Sequence, residues 1–85
     1  MEREDAMNET NEKKVVVELH FKPQAQYRPV LESVRRDARL SLNRLRARLS
    51  LEEAWFEFEI AGDPAAVDKF LARNRHRIET SVAVA

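Results

Sequence analysis

The chain has no cysteine, which excludes disulfides, thiol catalysis and iron–sulfur clusters held by its own ligands. It has one glycine and three prolines in 85 residues, so each is a meaningful punctuation mark. No apolar run approaches the roughly 20 residues of a membrane-spanning helix, and no secretory hydrophobic region is visible. Neither sign of charge is in excess, with 15 Lys and Arg against 15 Asp and Glu. These features lead us to expect one soluble, cytoplasmic domain with a small core, burying about 60% of its unfolded surface.

What is present is unevenly placed. The first twelve residues hold five acids and one arginine and almost nothing to bury. Residues 1–12 are therefore expected to be a disordered acidic tail, and residues 13–85 the folded domain. Taking one base and five acids from the totals of 15 and 15 leaves 14 against 10, a net charge of +4 for the domain. That is mildly basic, and cross-strand pairs can neutralise most of it locally.

Two periodicities compete for the stretch Leu40 to Leu51. Val30, Val34, Ala38, Leu42, Leu45 and Leu49 lie on one helical stripe, whereas Leu45, Ala47, Leu49 and Leu51 alternate with Arg44, Arg46 and Arg48 as in a strand. The following segment favours the strand. Phe56, Phe58 and Ile60 alternate with Trp55, Glu57 and Glu59. A hairpin through Ser50 to Glu53 sets Ala47 opposite Phe56 and Leu45 opposite Phe58. It also sets Arg46 opposite Glu57 and Arg44 opposite Glu59. A helix from Pro29 to Leu49 would be about twice the usual length.

Val15, Val17, Leu19 and Phe21 form the inward parity of a first strand ended by Lys22-Pro23. Pro29 suits the first turn of a helix whose apolar stripe is Val30, Leu31, Val34 and Ala38. Asp63-Pro64 reads as N-cap and first residue of a second helix, with Val67, Phe70 and Leu71 facing inward. Gly62 marks the turn before it. His76, Ile78, Thr80, Val82 and Val84 share the parity of a fourth strand. The fold class predicted is α+β: a ferredoxin-like βαββαβ sandwich, strand order 4-1-3-2, with two helices on one face of an antiparallel sheet.

In this order of elements the chain resembles the NIL domain, a small regulatory module known at the C-terminus of bacterial methionine-importer ATPases and in some ferredoxin-type proteins of sulfur metabolism. Over Val15 to Val82, Asn43-Arg44-Leu45 stands where the family has Asn-Ile-Leu, preceded by Leu40-Ser41-Leu42 and followed by Ala47 and Leu49. Pro29-Val30-Leu31, Ile60-Ala61-Gly62 and Phe70-Leu71 fall at matching places. The chain departs in Arg44 for isoleucine, in Lys22-Pro23 where a glycine is usual, and in the glycine-free hairpin Ser50-Leu51-Glu52-Glu53. The resemblance implies an amino-acid-binding regulatory function, methionine foremost, with Asn43 in the pocket beside Leu42, Arg44 and Leu45.

Each site residue has a competing structural reading. An amide at Asn43 can meet both ends of an amino acid, or it can shape the turn into the strand. Arg46 and Arg48 can bind an anion or join an interface, or they can pair with Glu57 and stack on Trp55. Trp55, placed on the face away from the helices, reads as the anchor of a homodimer, with the exposed edge of the second strand as the other surface a second copy can use. His20 and His76 fall on opposite faces, so no metal is expected. No nucleophile stands beside a base, so neither catalysis nor a cofactor is expected. The same topology serves RNA-recognition modules, but their Arg/Lys-Gly-aromatic signature is missing, and Glu18, Glu57 and Glu59 would sit where bases stack. A ligand-free homodimeric interaction module remains the alternative to the amino-acid binder.

Overall fold

The computed structural model describes residues 12–84. The acidic segment read as a tail lies outside them except for Glu12. Strand β1 (Lys13–Phe21) buries Val15, Val17, Leu19 and Phe21 and turns the residues between them the other way. A short 3-10 turn over Gln24–Gln26 leads into helix α1 (Tyr27–Arg36), with Pro29 in its first turn, where a missing N–H leaves no bond unmade. Strands β2 (Leu40–Leu49) and β3 (Ala54–Gly62) form the hairpin. Helix α2 (Pro64–Arg73) and a 3-10 turn over Arg75–Arg77 precede strand β4 (Ile78–Val84).

The sheet order is β2-β3-β1-β4, with every neighbouring pair antiparallel. Both helices pack on one face, as right-handed crossovers require. This is the predicted ferredoxin-like α+β sandwich. Its core is Val15, Val17, Leu19 and Phe21 from β1, Phe56, Phe58 and Ile60 from β3, Leu31 and Val34 from α1, and Val67 and Phe70 from α2. Phe56 stacks on Phe58 at 5.1 Å, and Tyr27 tilts against Phe56 at 5.0 Å. No helix among the described residues is long and apolar enough to cross a membrane.

The glycine-free hairpin closes through Ser50. Its N–H donates to the Glu53 carbonyl at 2.9 Å, and its hydroxyl oxygen accepts from the N–H groups of Glu52 and Glu53. The start of α2 follows the sequence expectation. The Asp63 carboxylate accepts from the Ala66 N–H at 3.1 Å, and Pro64 is the first helical residue.

Three expectations are corrected. Ala38 is not helical: α1 ends at Arg36, where Asp37 turns to extended backbone and its carboxylate accepts from the Arg39 N–H. Strand β2 begins at Leu40, and its register shifts between Arg44 and Arg46. Ala47 meets Phe56 and Arg46 meets Glu57 as expected, but Arg44 lies opposite Phe58, Asn43 opposite Glu59, and Leu45 is the additional residue. The cause is a change of parity. Leu40 and Leu42 must face the helices on even numbers, Ala47 and Leu49 on odd ones, and only a bulge reconciles the two. A second shift, opposite Glu18 and Leu19, makes Glu79 the extra residue in β4. Ile78 then packs against the core, while Thr80, Val82 and Val84 belong to the other face and His76 lies in the preceding turn.

Candidate functional site

The sheet face away from the helices is a lattice of four cross-strand rows. Arg48, Trp55 and His20 form the first row, and Arg46, Glu57, Glu18 and Thr80 the second. Asn43, Glu59, Val16 and Val82 make the third, and Ser41, Ala61, Lys14 and Val84 the fourth.

Trp55 is not the bare anchor expected. The His20 ring stacks on its indole at 4.0 Å and 16°, and the Arg48 guanidinium lies 5.9 Å from the ring centre. His20 Nε2 in turn bonds the Glu53 carboxylate, and Glu79 lies 4.0 Å from Nδ1. The sequence placed His20 and Trp55 on one face but offered no signal for the stack, which depends on β1 and β3 sharing a register. Glu53 was legible only as a loop residue.

In the second row, Glu57 and Glu18 are like charges directly opposite, an unfavourable pair. Both are relieved from outside. Arg46 Nε donates to Glu57 at 3.0 Å, and the Thr80 hydroxyl donates to Glu18 at 3.2 Å. Arg46 and Arg48 therefore take up the pairings that the sequence register gave them. Glu59 is approached not by Arg44 but by Lys14, at 4.0 Å.

The four residues of the proposed ligand site are distributed by strand geometry. Leu42 faces the helices opposite Ile60 and packs against the core, whereas Asn43 faces the open side opposite Glu59. Arg44 and Leu45 make the bulge, and Leu45 keeps 45% of its surface in solvent. Residues 43–51 are exposed on both faces, because the helices do not reach this half of β2. Among the described residues one edge of β2 is unpaired. A single chain thus brings Asn43, Arg44 and Leu45 to one stretch of open edge, and directs Leu42 away from it.

Among the described residues no group of three or more His, Cys, Asp or Glu could hold a metal ion. Compared with known protein families, curated proteins and solved structures, the chain matches none of them.

Proposed function

We propose that this domain is a non-enzymatic regulatory module that pairs with a second copy along β2. In this reading it takes an amino acid, methionine first among those to test, where the Asn43 segment meets that copy. The observation carrying the reading is the exposure of Asn43, Arg44 and Leu45 at a bulge on an unpaired edge strand. Bulges re-aim side chains and recur beside binding sites, and unpaired edges are templates for association. The resemblance to NIL domains supplies the ligand class. A thioether amino acid needs an apolar wall and one or two polar groups, and the exposed Leu45 at the bulge and the nearby Asn43 amide offer these once a second chain closes the site.

One observation favours the ligand-free interaction module instead: Leu42 and Asn43 point to opposite faces, so they do not touch one ligand together. A chemical-shift titration with methionine and a panel of amino acids separates the two readings. The amino-acid reading expects shifts around Asn43 that Asn43→Ala abolishes. Self-association without any shift at millimolar ligand supports the interaction module.

A further inference from the structure

We propose that the groove between α1 and α2, on the helix side and away from Asn43, is a second site that binds a small carboxylate with an apolar chain. The helices rest on the sheet and leave between them a cleft of about 370 Å³, within the range of small-molecule sites. Val30, Val34, Leu40 and Phe70 give it an apolar floor. Its rim carries Lys69, Arg73 and Arg77 against one acid, Asp37. That acid is already neutralised by Arg39, whose guanidinium bonds it at 2.9 Å and 3.0 Å. Among the described residues, none of the three rim cations forms an ion pair with a carboxylate.

Arg77 is the most built of the three. The buried Asn74, 6% exposed, donates its amide to the Phe70 carbonyl at 3.0 Å and accepts from the Arg77 guanidinium at 3.3 Å. The other terminal nitrogen of Arg77 donates to Gln26 at 3.4 Å, and the guanidinium lies 5.4 Å from the Phe21 ring. Among the described residues its buried Nε–H has no acceptor. The cation is thus held in place by neutral amides and an aromatic face, and the partner type that the described residues do not supply is an anion. A carboxylate at Arg77 and Arg73, with its chain along Val30 and Phe70, meets both halves of the cleft's chemistry.

The probe is hexanoate, with hexanamide as its uncharged counterpart, titrated into the isotopically labelled full chain. A ligand of this size is expected to bind in the millimolar range. The expected result is saturable hexanoate shifts at Val30, Ser33, Phe70 and Asn74, with hexanamide about tenfold weaker. Lys69 and Arg73 are exposed, so Lys69→Gln with Arg73→Gln tests the charge without risk to the core, and is expected to weaken hexanoate about tenfold. Ser33→Trp, from another exposed position, is expected to fill the cleft and block binding, whereas Asn43→Ala leaves it unchanged. Equal binding of hexanamide and hexanoate, or affinity unchanged in the double variant, overturns the inference. So does the absence of shifts in the helices, or binding of a short Glu/Asp peptide but not of hexanoate. Shifts confined to Asn43 and its neighbours would overturn this site while leaving the proposed regulatory site standing.

Discussion

Gly62 has φ +145, and a Cβ built there would lie 2.0 Å from the carbonyl oxygen of Arg39. That oxygen is backbone and cannot swing aside, since it also accepts from the Asp63 N–H at 3.0 Å. Gly62→Ala is therefore expected to destabilise the fold by about 2 kcal/mol or more, read as a lower urea midpoint with unchanged slope. The sequence marked this glycine as a turn; the close approach of Arg39 came only with the fold, because it joins segments more than twenty residues apart. Arg39 also acts on Asp37. Its side chain donates to the Asp37 carboxylate, and its backbone N–H adds a further bond, holding that carboxyl below the ordinary 3.8. A folded value depressed below the unfolded one means that the clamp's contribution is fully present above the unfolded value. It is lost as pH falls through the lower folded value. The titration midpoint of the Asp37 carboxyl carbon is expected below 3.8 and is expected to rise in Arg39→Ala.

Among the elements, the faces of β3 and the start of α2 were legible directly, because strict alternation and an Asp-Pro start are local signals, although β3 runs on through Gly62 rather than turning there. Strand β2 was legible in kind but not in register. Its apolar parity changes from Leu40 and Leu42 to Ala47 and Leu49, and that change is itself the signature of a bulge. Reading Leu45 as a paired residue concealed it and misassigned Arg44 to Glu59. The bulge makes a specific prediction. Deleting Leu45 would make Arg44–Phe58 and Arg46–Glu57 consecutive pairs and set Leu40, Leu42, Ala47 and Leu49 on one parity without a bulge. Because Leu45 keeps 45% of its surface in solvent, the deletion is expected to change stability by no more than about 1 kcal/mol in chemical denaturation. A loss of about 3 kcal/mol or more would mean that Leu45 is not the unpaired residue of the bulge. The β4 shift was less legible, because only Ile78 has a clear stake in one face, and Glu79 is extra for its sake. The lattice of the open face needed three strand registers at once, which no single segment encodes.

For the whole molecule, the open question in the sequence was which surface a second copy would use. Trp55 is partly buried, with His20 stacked on its ring and Arg48 beside it, so its removal takes little from any interface. Exposed leucines lie elsewhere, with Leu45, Leu49 and Leu51 at 45%, 50% and 98% along β2 and its loop, while Val82 and Val84 are the exposed apolar side chains of the open face, at its β4 side. Antiparallel pairing of β2 with its copy about Ala47 would set Leu45 near the partner's Leu49 and Arg46 opposite the partner's Arg48. The apolar match favours association and the arginine pair opposes it. Glu57 offsets Arg46 only in part, since the Arg46 side chain is 77% exposed. Screening the repulsion by salt should therefore strengthen the dimer, the opposite of an interface held by ion pairs. In sedimentation at micromolar protein, the dimer fraction is expected to rise from about 0.05 M to 0.5 M salt, to persist in Trp55→Ala, and to vanish in Leu49→Lys. Loss in Trp55→Ala with Leu49→Lys unaffected would move the contact to the open face. A dimer weakened by salt would refute the register about Ala47.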